Sequence, residues 1–527
     1  MRSFNLLLLL GVIVAVCAGC GRSEKASTPR RTTATLRVLS GSENKVLEPI
    51  LQQFTEKTGI AVQPTYEGSV DIMLQLQEGA NEYDAVWAAN SLWVDLSGNK
   101  NVKQSASIMR SPVVFGIKKS VADRLGLKIG EALPIRHIIE LTKARKLNFL
   151  MTNPTQSNSG AMAYLGFLHA LSGREDALLS EDLDRTEVRD GIQSILNAID
   201  RTSSSSAWLK DLFLANATLY DAMVNYESVI IETNQALEAA HQEPLLVFYP
   251  AEGQAISDSP LAYIDHNATD KEANFMELQK YLLTPAVQAQ LGALGRRAGL
   301  VGTDAVSPAF RPEWGLDTRR ILQPFPLPNA DTIRKALGLY QKTFKKPSLT
   351  AFVLDFSGSM KGVGERQLQT AMKLLLDEQQ AQRYLLSTGE KDVSLIIPFD
   401  AVPRRILEAN GDAHDDLERL LTAVMSERAG GGTDIYAAAT TALNRIAQFR
   451  NLEDYHVSVI LMTDGKSEGS FDTFAAEWEK LKFPVFTIMF AEADPTQLER
   501  ISRYTHARTF DGRKNLIGAF REAKGYN

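Results

Sequence analysis

Short apolar segments alternate with amphipathic helical patterns along most of this chain, and this alternation restricts the folds open to it. From residue 35, TLRVLSG predicts a strand, and ENKVLEPILQQFTEKTG predicts a helix that ends at Gly59. IAVQPTY and YDAVWAA predict further strands, with a helix over GSVDIMLQLQEG between them. Strand–helix alternation of this kind predicts mostly parallel sheets covered by helices, so we expect an α/β fold.

A second series of strands and helices begins after residue 347. Its patterns predict strands at Thr350–Leu354, Val393–Phe399, Val457–Met462 and Val485–Phe490, and helices at about Arg366–Leu386 and Ile435–Gln448. Between the two series, the prolines of LQPFPLPN exclude a helix or a central strand. A chain of 527 residues is long enough for several cores, so we divide its body into an α/β domain over 35–305, a proline-rich linker over 306–347 and a second α/β domain over 348–527.

The two cysteines of the chain, Cys17 and Cys20, both lie within the first twenty residues. The folded body can therefore contain neither a disulfide nor a cysteine-ligated zinc site. A short positively charged start and an apolar run of 11 residues precede these cysteines, as in a secretory signal peptide. We assign residues 1–19 to a signal peptide and the polar residues 20–34 to a flexible tether.

The segment CAGC resembles the lipobox of bacterial lipoproteins, in which small residues precede a cysteine that becomes acylated. Cys17 departs from that pattern, because leucine is usual at its position. The resemblance implies a lipid on Cys20 that anchors the protein to a membrane on its extracytoplasmic, periplasmic side. Gly21 stands where aspartate would resemble an inner-membrane signal, which favours the outer membrane in a two-membrane cell. The alternative is an ordinary secretory signal that is cleaved after Gly19 and leaves a free thiol.

Carboxylates and hydroxyls follow the ends of two predicted strands in the second domain. Asp355, Ser357 and Ser359 come directly after one strand, and Asp464 ends another. Thr433 follows three glycines and precedes a predicted helix. Because loops at the carboxyl ends of parallel strands converge, we expect these oxygen atoms to lie close together. Such oxygens suit a hard cation, so the sequence predicts a site for Mg²⁺ or another divalent cation.

The order Asp-x-Ser-x-Ser, a distant Thr and a distant Asp resembles the metal-ion-dependent adhesion site of von Willebrand factor A domains. The resemblance covers about residues 348–520 and all five positions of the motif. It implies a doubly wound, Rossmann-like domain in which the serines and the threonine hold the metal directly and the aspartates do so directly or through water. It also implies a protein partner that offers an acidic side chain to the metal.

Two alternatives compete with a metal site at these residues. Asp355 and Ser357 could simply cap a helix, and Asp464 with Gly465 could form a turn. Phosphatases of the haloacid dehalogenase type also place an aspartate after their first strand, but they require a second one where this chain has Ser357. No phosphate-binding lysine loop, HExxH zinc motif or nucleophile–base set occurs in the sequence, so we predict no enzymatic activity.

Small polar residues gather at three strand–helix junctions of the first domain, in SGSEN, YEGSVD and NPTQSNSGA. Hydroxyl groups and free N–H groups at helix N-termini favour polar or anionic ligands. Residues 35 to about 300 resemble bacterial extracellular solute-binding proteins of the periplasmic type II class, as FTEKTGIAV, YDAVWAAN and SPVVFGIKKSVADRLG indicate. This resemblance implies two lobes with a ligand between them, and it implies ligand contacts at Ser42, Ser69, Asn90, Ser159 and Tyr226. The alternative is that these residues only cap helices and that the cleft has lost its transport ligand.

The sequence therefore predicts a lipid-anchored extracytoplasmic binding protein. Its second domain would engage a protein partner through Mg²⁺, and its first domain would supply a second recognition surface for a small polar or anionic solute. The alternative function is a transporter-associated solute receptor in which the second domain is an accessory. The formal net charge of −6 argues against a nucleic-acid-binding surface, which is normally basic.

Overall fold

Three β-sheets organise the part of the chain that the structure describes, namely residues 34–299, 307–464, 467–490, 493–513 and 515–525. The structure is a computed structural model. The predicted signal peptide, the lipidation site Cys20 and all but the last residue of the tether lie outside the described residues. No helix among the described residues has the length and apolar character needed to cross a bilayer.

The first domain contains the first two sheets. Its strands are β1 (Ala34–Gly41), β2 (Ile60–Glu67), β3 (Ala85–Trp87), β4 (Val102–Ser107), β5 (Ser111–Lys118), β6 (Phe149–Thr152), β7 (Ile199–Ser203), β8 (Ala222–Tyr226), β9 (Leu245–Phe248), β10 (Ile256–Ser257) and β11 (Pro260–Ile264). Its helices are α1 (Glu48–Thr58), α2 (Ser69–Gln77), α3 (Ser91–Ser97), α4 (Lys119–Leu125), α5 (Ile135–Lys143), α6 (Asn158–Ser172), α7 (Thr186–Leu196), α8 (Ser206–Ala215), α9 (Glu227–Ala239), α10 (Thr269–Leu282) and α11 (Pro285–Ala293). The helix α12 (Ala330–Leu339) follows before the second domain.

The second domain is built on the third sheet. Its strands are β12 (Ser348–Asp355), β13 (Val393–Phe399), β14 (Leu407–Asn410), β15 (His456–Thr463), β16 (Val485–Met489) and β17 (Thr509–Asp511). Its helices are α13 (Val363–Leu376), α14 (Glu378–Arg383), α15 (His414–Ser426), α16 (Ile435–Ile446), α17 (Phe471–Leu481), α18 (Pro495–Tyr504) and α19 (Leu516–Gly525).

Each sheet of the first domain forms the centre of one lobe. Lobe 1 has the strand order β2-β1-β3-β11-β4, and lobe 2 has the order β10-β5-β8-β6-β7, with β9 also paired to β5. The chain passes between the lobes just before β5 and again between β10 and β11. Parallel pairing holds β1, β2 and β3 together, whereas β11 and β5 run antiparallel to their neighbours. The predicted two-lobed α/β domain is therefore confirmed.

The two lobes are in close contact. Val70 and Leu74 of α2 and Trp93 of α3, all from lobe 1, share one buried apolar cluster with Met162 and Tyr226 of lobe 2. A hydrogen bond also joins the lobes, because Trp93 Nε1 donates to Asn158 Oδ1 over 2.6 Å. This burial of apolar surface favours the closed arrangement of the lobes.

The sheet of the second domain is buried on both faces. Its order is β14-β13-β12-β15-β16-β17, and only β14 runs antiparallel to its neighbour. Phe352 and Leu354 of β12 join the core on one face, and Ala351 and Val353 join the core on the other. Alternate side chains of a strand point to opposite faces, so a strand buried on both sides must be apolar throughout. The predicted doubly wound domain is confirmed.

The predicted helix over about Arg366–Leu386 is divided in two. The chain leaves the helical conformation at Asp377, between α13 and α14. The side chain of Asp377 accepts a hydrogen bond from the N–H of Gln380 over 3.0 Å and so begins the second helix as an N-cap. The predicted strands and the helix at Ile435 agree with the structure to within about two residues.

The predicted linker over 306–347 needs correction, because its described part packs against lobe 2. No helix forms over the proline-rich residues 321–328, but Phe325 is buried in the core and stacks on His169 with ring centroids 5.6 Å apart. Helix α12 then buries Ile333 and Ala336, and the hydroxyl of Tyr164 donates to the carbonyl of Ala336 over 2.8 Å. The segment is apolar at helical spacing and therefore belongs to the core of the first domain.

His456 begins β15 close to the contact between the two domains. Its ring is buried, and Lys346, Lys345 and Arg201 are the cations around it. Burial, together with these cations, lowers the pKa of His456 to about 3. The folded protein therefore excludes a proton that the unfolded chain accepts below its ordinary pKa of about 6.5.

We predict that acid destabilises the protein through His456. Between about pH 6.5 and pH 3 the unfolded state binds one more proton than the folded state, so the free energy of unfolding falls as the pH falls, by at most about 1.4 kcal/mol per pH unit. Denaturant unfolding between pH 7 and pH 4 should show a smaller pH slope in His456→Gln than in the wild type. The control is His414→Gln, since the His414 side chain is 69% exposed. Equal slopes in wild type and His456→Gln would contradict the assignment.

Candidate functional site

The loop after β12 holds a buried carboxylate in a fixed orientation. Asp355 is 0% exposed, and its Oδ1 accepts a hydrogen bond from the N–H of Ser357 over 2.7 Å. Its Oδ2 accepts a second hydrogen bond from the hydroxyl of Thr463, at the end of β15. Because β12 and β15 are parallel neighbours, their carboxyl ends lie side by side and bring these groups together.

The two serines of the same loop connect Asp355 to the end of β15. The hydroxyl oxygens of Ser357 and Ser359 lie 3.1 Å apart, and Ser359 Oγ donates to Asp464 Oδ1 over 2.8 Å. Ser357 is 0% exposed. The structure therefore joins four of the five predicted metal ligands in one hydrogen-bonded cluster, which we call the Asp355 cluster.

Thr433, the fifth predicted ligand, lies on the neighbouring glycine loop. The N–H of Gly358 donates to the carbonyl of Gly431 over 3.0 Å, and the N–H of Glu468 donates to the carbonyl of Thr433 over 3.3 Å. The loop that carries Thr433 is therefore hydrogen-bonded to both the loop after β12 and the segment that follows β15. Gly431 has a φ of +89°, a conformation that side-chain-bearing residues rarely adopt, so glycine allows this close approach.

The Asp355 cluster contains two carboxyl groups with no compensating cation among the described residues. Burial raises the pKa of Asp355 and also that of Asp464. Within the described ranges, no lysine, arginine or histidine forms an ion pair with either carboxylate. A buried carboxylate pair with no cation beside it is energetically unfavourable unless something neutralises it. This arrangement fits a bound cation.

The chemistry of the cluster limits which cation it suits. No group of three or more His, Cys, Asp or Glu side chains among the described residues is placed to hold a metal. A metal at the Asp355 cluster would therefore depend on hydroxyl oxygens as well as carboxylates. Such an oxygen set suits Mg²⁺ better than a softer metal such as zinc. The donor atoms are thus consistent with the predicted cofactor.

Asp400 is a residue of this edge that sequence reasoning missed. It follows β13, its carbonyl accepts from the N–H of Asp434, and its carboxylate lies beside Gly431. Burial opposes ionisation of Asp400, but the N–H of Val402 and the guanidinium of Arg404, 3.0 Å away, lower its pKa. Asp400 therefore supports the glycine loop, and its negative charge is already compensated by Arg404. The available signal was its position directly after a buried strand.

Three of the predicted ligand contacts lie near the contact between the lobes. Ser42 Oγ accepts from the N–H of Ala207 in lobe 2 over 3.4 Å. Ser69 Oγ accepts from the N–H of Ala89 over 3.0 Å. The side chain of Asn90 accepts from the N–H of Leu92 as the cap of α3 and donates to the carbonyl of Ile256 over 2.8 Å.

The other two predicted contacts are buried in lobe 2. Ser159 Oγ lies 2.7 Å from Thr152 Oγ1 and 2.8 Å from Ser206 Oγ. The hydroxyl of Tyr226 accepts from Asn158 Nδ2 over 2.8 Å. The structure thus gathers all five side chains near the junction of the lobes, but each of them bonds to the protein itself. Their role in ligand binding stays a prediction.

Both domains match known protein families in sequence. Residues 36–297 match the family model of bacterial extracellular solute-binding proteins, and residues 351–515 match the model of the von Willebrand factor type A domain. The chain therefore combines an extracellular solute-binding domain with a von Willebrand factor A domain. No curated protein matches the chain in the sequence comparison.

Solved structures similar to each domain were also found. The sulfate-binding protein of Mycobacterium tuberculosis is 16% identical, covers 57% of this chain and 96% of its own, and gives a TM-score of 0.40. The periplasmic molybdate-binding protein of Azotobacter vinelandii is 16% identical, covers 50% of this chain and 99% of its own, and gives 0.35. The von Willebrand factor type A protein of Catenulispora acidiphila is 18% identical, covers 34% of this chain and 42% of its own, and gives 0.30.

We predict that Asp464→Asn removes a charge from the Asp355 cluster while it keeps the size and shape of the side chain. The amide oxygen can still accept from Ser359, but the charge is lost, so with chelator present the variant should melt at or above the wild-type temperature. Added Mg²⁺ should stabilise the wild type, by about 2.7 kcal/mol at a hundredfold excess over Kd, and should not stabilise the variant.

The matched control for this experiment is Asp472→Asn, which removes an exposed carboxylate in the first turn of α17. Differential scanning calorimetry with and without Mg²⁺ measures both effects. A variant that melts lower in chelator and keeps the full Mg²⁺ response would contradict the prediction.

Proposed function

Because the chain joins a solute-binding domain to a von Willebrand factor A domain, we propose that it is an extracytoplasmic binding protein. In this proposal, the second domain engages a protein partner through a divalent cation, and the first domain is a second recognition surface. The observation that carries the proposal is the Asp355 cluster, in which carboxylates and hydroxyls meet with no compensating cation among the residues that the structure describes.

The residues of the cluster have separate tasks in this proposal. Ser357, Ser359 and Thr433 would hold Mg²⁺ through their hydroxyl oxygens, and Asp355 and Asp464 would hold it directly or through water. When bound, Mg²⁺ would supply an open coordination position that attracts a carboxylate of the partner protein. The two carboxylates can only balance the charge of Mg²⁺, so the ion can still attract a carboxylate of the partner more strongly than a neutral group.

The proposal places the protein outside the cytoplasm, attached to a membrane through a lipid on Cys20. The match of residues 36–297 to an extracellular family supports the first part, and the sequence CAGC supports the second. For a two-membrane cell we favour the outer membrane, because Gly21 follows the predicted lipidation site Cys20.

Recognition of a small polar or anionic solute by the first domain is the second part of the proposal. The polar side chains at the junction of the lobes support it. Each of these side chains forms a hydrogen bond to another group of the protein, so a solute must replace those hydrogen bonds in order to bind. The role is a binding role and not an enzymatic one.

We predict that the partner binds only with Mg²⁺ present. The full mature chain, immobilised, should retain a protein from extracts of its own cell envelope in Mg²⁺ and release it in chelator. Asp355→Ala should abolish this retention and should remove Mg²⁺ binding in isothermal titration, because it deletes a buried ligand. The control is Ser426→Ala, which removes an exposed hydroxyl of the same domain. Retention that is independent of chelator and equal in both variants would overturn the adhesion proposal.

We predict that Cys20→Ser releases the protein from the membrane. A serine cannot carry the thioether-linked lipid, and without that lipid the apolar contribution to membrane binding, about 0.8 kcal/mol per buried CH₂, is lost. Fractionation of cells that express each form should show wild type in the membrane pellet and the variant in the periplasmic extract. Cys17→Ser is the matched control and should stay in the pellet. Equal fractionation of wild type and Cys20→Ser would refute anchoring through this residue.

A further inference from the structure

One arginine of the second domain reaches between the two lobes of the first domain. Arg521 lies on α19, and its side chain is only 3% exposed. Its Nε donates to Asp71 Oδ1 of lobe 1 over 2.6 Å, and its Nη2 donates to the carbonyl of Thr155 in lobe 2 over 2.9 Å. A single guanidinium group therefore bonds to both lobes, at the junction between α2 and the loop that precedes α6. We call this junction the interlobe cleft.

The backbone of α19 is held at the same place. Gln156 Nε2 donates to the carbonyl of Arg521, and Thr202 Oγ1 donates to the carbonyl of Gly525 over 2.7 Å. The last carbonyls of a helix have no partner within the helix, and Thr202 of lobe 2 supplies a donor to one of them, that of Gly525. The end of α19 is thus recognised through its backbone as well as through Arg521.

The surroundings of Arg521 are acidic. Burial, followed by the charges of Asp71 and Glu522, raises the pKa of Glu67 to about 8, and burial raises the pKa of Glu522 to about 7. Arg508 lies 3.3 Å from Glu522. Removal of Arg521 would leave the buried carboxylate of Asp71 without an ion-pair partner among the described residues.

The cleft also contains polar atoms that the protein leaves unbonded. Among the described residues, Nη1 of Arg521 and Oε1 of Gln156 are buried and lack a hydrogen-bond partner, and Gln156 is 2% exposed. The carboxylate of Asp71 and the carbonyl of Thr155 form a set of two acceptors that two nitrogens of one guanidinium group reach. A planar guanidinium with five N–H donors can use such a set, whereas the compact ammonium of lysine cannot reach it in the same way.

We propose that the interlobe cleft is a guanidinium-binding site and that Arg521 is its tethered ligand. The second domain thereby holds the lobes of the first domain closed, as a bound solute would. A free alkylguanidinium ion, such as an arginine side chain or a decarboxylated arginine, can enter only when Arg521 leaves. This inference goes beyond the proposed function, which depends on the Asp355 cluster, so either can fail without the other.

The test is chemical rescue of Arg521→Ala in the full mature chain. The variant leaves Asp71 buried and unpaired, so we expect its melting temperature to fall by roughly 5 °C or more. Methylguanidinium at millimolar concentration should restore part of this loss, because it binds the folded state and not the unfolded one. Methylammonium, which carries the same charge without the planar donors, should restore much less. The wild type should show no response to either ion, since its cleft is filled.

The matched control is Arg513→Ala, which removes an arginine of the same domain whose ion-pair partner among the described residues is Asp511, 2.7 Å away. It should melt like the wild type and show no rescue. The double variant Asp71→Ala with Arg521→Ala should lose the rescue, because the acceptor is gone. If Arg521→Ala does not fold, Arg521→Gln, which keeps most of the side-chain volume without the charge, takes its place in the same experiment.

Two results would overturn the proposal. One is a methylguanidinium response of the Arg521 variant no larger than that of Arg513→Ala. The other is equal rescue by methylammonium, which would show a general charge effect and no guanidinium site. Mg²⁺ titration of the same variants separates this inference from the adhesion proposal, because we expect Mg²⁺ affinity to be unchanged within twofold.

Discussion

Buried carboxylates are the constraint on which both proposed sites of this protein depend. Withdrawal of a carboxylate from water is costly unless a cation or several donors compensate for it. Several buried carboxylates have a cation of the chain beside them: Glu227 has Arg297 at 2.7 Å, Asp392 has Lys345 at 3.0 Å, and Asp71 has Arg521 at 2.6 Å. Asp355 and Asp464 form no such pair among the described residues. This difference, more than the presence of acidic residues, distinguishes the Asp355 cluster as a place for an external cation.

The same constraint explains why the interlobe cleft and the Asp355 cluster have opposite chemistry. At the Asp355 cluster, hydroxyls of Ser357 and Ser359 extend the oxygen set, and no arginine or lysine among the described residues pairs with the two carboxylates. At the cleft, an arginine of the chain already fills the position beside the carboxylate of Asp71. The first arrangement suits a metal ion from solution, and the second suits a guanidinium group.

Much of the fold, and the proximity of the residues of the Asp355 cluster, was predictable from the sequence, because the signals are local. The apolar strand before Asp355, the glycines before Thr433 and the strand that ends at Asp464 each specify a loop at the same edge of a parallel sheet. The hydrogen bonds from Ser357 N–H to Asp355 and from Ser359 to Asp464 agree with that expectation. The break at Asp377 was not predicted, because an aspartate inside a long amphipathic pattern does not by itself end a helix.

Contacts between distant segments were not predictable in this way. Nothing near Arg521 in the sequence indicates a partner 450 residues away at Asp71. The role of Phe325 and α12 as part of lobe 2 was also missed, since the prolines dominate the local pattern. In both cases the contact depends on complementarity between surfaces formed by different parts of the chain. The periodicity of residues within one segment carries no information about that complementarity.

Helix α19 is stabilised by contacts with both domains. Its ten residues are too few for a stable isolated helix, so it needs tertiary contacts. Ala519, Phe520 and Ala523 pack into the core of the second domain, and Phe520 stacks on Phe352 of β12 with centroids 6.0 Å apart. Arg521, one position further along the helix, points away from that core into the cleft of the first domain. The helix therefore belongs to both domains at once. If the chain were divided between the two domains, Asp71 would be left without its ion-pair partner in one piece, and Arg521 would be left without its partner in the other. The association of the two domains is therefore electrostatically specific as well as apolar.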